Sequence, residues 1–167
     1  MHRIHLTTFI QAPADRVFDL SRSINLHKIS TAHTHEKVVD GVASGLISAG
    51  ESVTWQAKHL FKERQFTSFI ASMVAPDSFV DEMKKGDFRS FRHEHHFKQI
   101  DNGTIMIDVV DFEVPYGWLG NVFTNIYLKK YLTRLLEHRN QVIREYAESA
   151  RWKAILAETA VQQELSE

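Results

Sequence analysis

The chain has no cysteine in its 167 residues, which excludes a disulfide framework, thiolate metal ligands and a cysteine nucleophile, and is compatible with a reducing compartment. No apolar run approaches the roughly 18 to 20 residues that cross a bilayer. The opening Met1-His2-Arg3-Ile4-His5 lacks the apolar core of a signal peptide. Neither sign of charge is in excess: 20 basic residues face 21 acidic ones, for a formal net charge of -1. There is no basic arm to attract a phosphate backbone, so nucleic acid is not an expected partner. Internal repeats and low-complexity linkers are absent, and the length suits one sizeable core rather than two. The expectation is a cytoplasmic protein without a transmembrane segment, stabilised by packing.

Histidine is abundant, with ten residues, and it is the side chain whose ordinary pKa lies near neutrality. Ile4, Leu6, Thr8 and Ile10 alternate as in a strand. Pro13 then opens a stretch with Val17, Phe18 and Leu20 at helical spacing, and Ser23 is suited to cap a second short helix carrying Leu26 and Ile29. Six extended segments follow, at residues 33–40, 51–61, 62–73, 79–84, 88–99 and 104–114. Turn-forming groups such as Asp40-Gly41, Ala75-Pro76-Asp77 and Asp101-Asn102-Gly103 separate them. Beyond Pro115 the pattern is helical to about Glu148. Its apolar stripe changes side, from Leu119, Val122, Phe123 and Ile126 to Leu128, Tyr131, Leu135, Val142 and Tyr146, which implies a break near Asn125. The expected class is α+β: a seven-stranded curved antiparallel sheet around a long C-terminal helix, with two short helices after strand 1. Residues 1–148 form the expected ligand-binding domain. Residues 149–167 form a helical tail that is no independent domain and that packs elsewhere, on a second subunit in a homodimer, or frays.

A sheet gripping a single helix leaves a concavity that the helix cannot fill, and such cavities take small ligands. An even-numbered loop in the last hairpin puts Phe91, His93, His95 and Phe97 on one face with Met106, Asp108, Val110 and Phe112. If the loop is Asp101-Asn102, His95 lies across from Asp108; a slip to Asn102-Gly103 puts Val110 there. Trp55, His59 and Phe61 share the inward parity of Val53 and Ala57, and Phe79, Asp81 and Met83 extend the lining if the loop near Gly86 holds an odd residue or a bulge. Leu128 and Leu135 complete it from the helix. The candidate site is thus a largely apolar surface with a few polar groups: His59, Asp81, His93, His95 and Asp108. Four of these, His93, His95, Asp81 and Asp108, are the candidates for acid-base work. A purely structural hydrogen-bonded network is the other reading of the same residues. A metal set drawn from His33, His35, His59, His93 and His95 matches no compact spacing, and neither metal nor cofactor is expected. No Gly-x-Ser-x-Gly elbow and no phosphate loop are present; residues 41–50 read as a flexible loop near the pocket mouth.

Phe79-Val80-Asp81-Glu82-Met83, Gly86, Phe88, His93-Glu94-His95 and Phe97 together are similar to a motif of bacterial ligand-binding START-like proteins, the SRPBCC group. The likeness continues through Gly103-Thr104, Met106, Asp108, Pro115-Tyr116-Gly117-Trp118-Leu119-Gly120 and Leu135-Leu136-Glu137-His138-Arg139-Asn140. Residues 55–61 fit as well, and the tail after about 148 lies outside. The resemblance implies a helix-grip fold, shared with polyketide cyclases, lipid-transfer START domains and pollen allergens. Members of that superfamily bind lipids, hormones and polyketides, and only some are enzymes. Three functions follow as expectations. The first is a binder or carrier of a small hydrophobic molecule. The second is a cyclase or dehydratase using a pocket His or Asp. The third is an interaction module or dimer formed through the tail and Trp152.

Overall fold

The computed structural model describes residues 1–59, 62–115, 122 and 127–157. Strand β1 (His2–Ile10) leads into α1 (Ala14–Ser21) and α2 (Ile24–Ser30). Then come β2 (Lys37–Gly41), β3 (Ser52–His59), β4 (Lys62–Val74), β5 (Ser78–Lys85), β6 (Ser90–Ile100) and β7 (Gly103–Glu113), and finally α3 (Lys129–Ala147). All seven strands form one antiparallel sheet in the order β1-β7-β6-β5-β4-β3-β2. The chain returns its last strand to the edge beside its first.

Local chemistry sets these elements. Ser23 caps α2 as expected, its hydroxyl accepting from Leu26 N at 3.2 Å, a contact worth about 1 kcal/mol. The N–H of Ala14, an orphan donor in the first turn of α1, is taken by the Gln99 side chain of β6 at 2.7 Å. The β6–β7 loop is Asp101-Asn102, because Ile100 pairs with Gly103, and His95 therefore stands opposite Asp108. Gly103 is required there. A Cβ at that position would strike the carbonyl oxygen of Ile10 and the Phe9 ring, so a side chain would part β7 from the end of β1.

Two expectations about the front of the chain are corrected. Residues 32–34 form a 3-10 turn and His35 adopts a left-handed conformation at φ 53°, so His33 and His35 do not alternate on a strand face. The reason is local: Thr34 N bonds to the Thr31 carbonyl, and His35 N to that of Ala32, closing turns that a strand forbids. The loop expected to be flexible is tied down. Ile24 N donates to Gly45 O at 2.9 Å and Ile47 N to Arg22 O at 3.2 Å, satisfying one donor and one acceptor near the start of α2.

Two apolar clusters fill the concave side. The larger joins Ile10, Val17, Phe18, Leu20, Leu26, Trp55, Phe79, Phe97 and Met106 to Ile143 and Ala147 of α3. The smaller joins Ile4, Val110 and Phe112 to Leu128, Leu132 and Leu136. The inward face of α3 thus runs through Leu132, Leu136, Asn140, Ile143 and Ala147, at steps of four and three. Leu135, expected on that face, is half-buried and belongs to neither cluster. Of the expected stripe, Leu128, Val142 and Tyr146 pack against the clusters as partly buried side chains, while the apolar count passed over the middle of the face because the buried residue there, Asn140, is polar. The expected break near Asn125 lies outside the described residues.

Residues 152–157 are helical and fold back on the same chain. Ile155 is 6 % exposed within the larger cluster, Trp152 and Leu156 pack against it, and the Arg16 guanidinium lies 4.4 Å from the centre of the Trp152 ring. Trp152 is thereby engaged within its own chain. Ile155→Ala should cost about 2 to 4 kcal/mol in urea unfolding, as buried aliphatic truncations do. A loss under about 0.5 kcal/mol, the range of neutral surface changes, would mean that this turn contributes nothing to the core.

Candidate functional site

A buried polar belt crosses the concave face between the two apolar clusters. Its centre is Asp108, fully buried on β7. His93 Nε2 lies 2.8 Å from Asp108 Oδ1 in a hydrogen bond, and Asn140 Nδ2 donates to Oδ2 at 2.7 Å. His95 Nδ1 also lies 2.9 Å from Oδ1, close enough to hold the ring against the carboxylate although off the direction of a good hydrogen bond. The same Asn140 amide reaches Thr8 Oγ1 at 3.3 Å. The belt thus joins β1, β7, β6 and α3.

The period-two pattern of β6 places these groups. His93 and His95 lie on the same face as Phe91 and Phe97, side by side with ring centres 3.7 Å apart. Phe79, directly across from His95 on β5, stacks on its other side at 4.1 Å. The imidazole is held between two rings.

Next to His95 is a pocket of about 50 Å³. Its walls are Ile24 and His27 of α2, Ile47 from the segment before β3, Val53 and Trp55 of β3, Ser68 and Ile70 of β4, Phe79 and Asp81 of β5, His95, and Arg139 of α3, together with Ser21, Arg22 and Ser23. Ser68 Oγ hydrogen-bonds to Asp81 Oδ1. His27 stacks on Trp55 with centres 4.2 Å apart and places Nε2 2.9 Å from Glu36 Oε2. Arg139 donates from Nη2 to the Ser21 carbonyl at 2.6 Å, while its Nη1 is buried with no partner.

The environment drives the ionisable groups apart. Burial pushes the Asp81 carboxyl up, partly offset by the Ser68 hydroxyl. Burial, and then the nearness of His93, holds His95 well below the usual imidazole range. Burial alone would push Asp108 up, yet the hydrogen bond from His93 and the close approach of His95 outweigh it, and the carboxyl lies well below its ordinary range. The pocket wall therefore offers a carboxyl biased toward its protonated form, an imidazole biased toward neutrality and a guanidinium with an idle donor. Such a pair of displaced titrations can act as acid and base.

Of the expected site residues, Trp55, Phe79, Asp81 and His95 line the pocket. His93 and Asp108 stand behind His95 in the belt. Phe97 and Met106 lie in the larger apolar cluster. Val110 and Phe112 form part of the smaller one, with Phe91 and Leu128 packed against it. Met83 is half-buried on β5, and Leu135 stays apart from both clusters. Phe61 and the His59 side chain lie outside the described residues. Sequence reading missed His27, Ser68, Arg139 and Asn140. Asn140 did carry a signal, since a stripe through Leu132 and Leu136 lands on it at the next step of four.

The donor atoms of His93, His95 and Asp108 lie within 4.8 Å of one another, a set that could hold a metal ion. His93 and Asp108 already satisfy each other, however, and Asn140 takes the second carboxylate oxygen. The belt is better described as a hydrogen-bonded network that fixes His95.

Residues 10–138 match the family described as polyketide cyclase / dehydrase and lipid transport. The chain belongs to that family. Solved structures share its fold at low identity. The protein TTHA0849 from Thermus thermophilus is 16 % identical with a TM-score of 0.67, covering 85 % of this chain and 97 % of that one. The major latex-like protein 151 of Panax ginseng is 14 % identical with a TM-score of 0.65, over 89 % and 98 %. A START superfamily protein from Mycobacterium smegmatis is 12 % identical with a TM-score of 0.65, over 89 % and 98 %. No curated protein matches the sequence. This member of the polyketide cyclase / dehydrase and lipid transport family is a START-like, helix-grip protein, and among its described helices none is long and apolar enough to cross a membrane.

The lowered pKa of His95 makes stability depend on pH. Unfolded, it titrates near 6.5; folded, its pKa is lowered, so below about pH 6.5 the unfolded chain binds the extra proton. Its contribution is complete above that pH and declines on acidification by about 1 kcal/mol per pH unit. Asp81, with a raised pKa, acts in the opposite sense, so Asp81→Asn is the proper background. In that background His95→Gln should flatten the urea-unfolding stability between about pH 6.5 and 5.5. An unchanged slope would assign the proton uptake to another group.

Proposed function

We propose that this chain binds or carries a small hydrophobic molecule between the curved sheet and α3, with the polar part of the ligand in the pocket beside His95. One observation carries the reading. Among the described residues, Arg139 lines the pocket with its Nη1 buried and without a partner, while His95 Nδ1 is turned to Asp108 at 2.9 Å. Buried polar groups are nearly always satisfied in native proteins, so an idle guanidinium nitrogen on a cavity wall is suited to an occupant. Trp55, Phe79, Ile70 and Ile24 supply the apolar walls of the same pocket, and apolar burial supplies the affinity, at about 25 cal/mol per Å².

A volume of about 50 Å³ holds a head group and not a whole lipid; it admits roughly four water molecules at about 10 to 15 Å³ each. The body of the ligand then requires some of the side chains that pack the concave face to give way. A second reading has its own observation. Asp81 and His95 face one pocket with their pKa values displaced in opposite directions, as general acid and general base require, and proton transfer on a polyketide-like or aromatic substrate fits them.

Mild denaturation of the purified protein should release a stoichiometric apolar compound visible by mass spectrometry. His95→Ala should weaken its rebinding about tenfold or more. Release of nothing, together with no affinity for apolar probes, would remove the carrier reading. The enzymatic reading requires turnover that disappears in both His95→Ala and Asp81→Asn while the fold persists.

A further inference from the structure

The pocket wall contains one permanently charged group whose hydrogen-bonding capacity is half used. Arg139 leaves α3 one residue before the inward-facing Asn140 and gives Nη2 to the Ser21 carbonyl at 2.6 Å. Its Nη1 is buried and idle. The two carboxylates nearby act on its charge but bond elsewhere. Asp108 is engaged by His93 and Asn140, Asp81 is engaged by Ser68, and neither forms an ion pair with Arg139 among the described residues. A guanidinium stays protonated and presents a planar fork of donors, which matches a carboxylate better than a neutral acceptor of comparable size. A buried cation of this kind is costly unless a partner is brought to it.

The other polar groups at the pocket are consistent with the same partner. Ser68 and Asp81 line the cavity from β4 and β5, and His27 lines it from α2, with His95 beside them. Of the two cationic or cation-forming groups besides Arg139 and His95, Arg22 is spent on Asp19 and the Ile47 carbonyl, and His27 on Glu36. Arg139 is thus the cation with capacity to spare.

Resting on the proposed binding of a small hydrophobic molecule, we infer that the ligand is an amphipathic acid whose carboxylate is received by Arg139, with its apolar chain against Trp55 and Phe79. Arg139 is then the residue that selects among apolar molecules by head group. Removing its charge leaves the apolar walls intact.

Three probes with one chain and different heads test this by calorimetry at neutral pH: octanoate, octanamide and 1-octanol. The wild-type protein should bind octanoate at least about tenfold more tightly than the other two. Arg139→Gln should lower octanoate affinity about tenfold or more and leave octanamide within about twofold, while Arg139→Lys, which keeps the charge, should restore part of the loss. Unchanged far-ultraviolet circular dichroism and a cooperative melt identify variants that fold. Equal binding of all three probes, indifferent to Arg139→Gln, overturns the carboxylate assignment and leaves the apolar site standing. Binding of none of the three overturns both.

Discussion

The Asp108 carboxylate is the point at which sheet and helix are locked together. It is fully buried, and a buried charge persists only when its lone pairs are met. His93 meets one oxygen from β6 and Asn140 meets the other from α3. A helix lying on apolar side chains alone can slide or rotate at little cost, since dispersion is not directional. The Asn140 contact at 2.7 Å removes that freedom, and with it fixes where Arg139, the preceding residue, stands against the pocket. Breaking such a buried contact from one side costs on the order of 3 to 5 kcal/mol, a large share of the stability of a typical domain.

The belt also divides the interior. On one side lie Phe18, Phe97, Met106 and Ile143, and on the other Ile4, Val110, Phe112 and Leu136. The division repeats along each element: Phe97, His95, His93 and Phe91 on β6; Met106, Asp108 and Val110 on β7; Ile143, Asn140 and Leu136 on α3. Each contributes polar atoms at the same level, so the arrangement is a layer and not a scatter of isolated polar residues. The pocket opens beside this layer, where apolar walls and idle donors come within reach of one ligand.

Much of this was legible in the sequence, because strand parity is a strong code. Alternation in residues 91–97 and 106–112 sorted the inward from the outward side chains, and the structure selects, of the two loops the sequence allowed, the one that pairs His95 with Asp108. Turn-forming groups marked where one strand ends and the next begins. The helix was harder to read, since its buried face contains a polar residue and an apolar count steps over it to Leu135. His27 and Ser68 had no legible signal, because their importance arises from Trp55 and Asp81, which reach them only through the folding of β3, β4 and β5. The turns at residues 31–35 were decided by hydrogen bonds to nearby carbonyls that compete with a strand.

The placing of β1 at the outer edge beside β7, with Ile4 opposite Val110, has a consequence for biosynthesis. β1 leaves the ribosome well ahead of β7 and must wait for it before either can close the sheet. At roughly 5 to 20 residues per second, that interval is on the order of ten seconds. During it Ile4, Leu6 and Ile10 travel with an unsatisfied backbone edge. Nascent-chain chaperones that shield extended apolar segments would find their target in this early strand, and its release would coincide with emergence of the final hairpin.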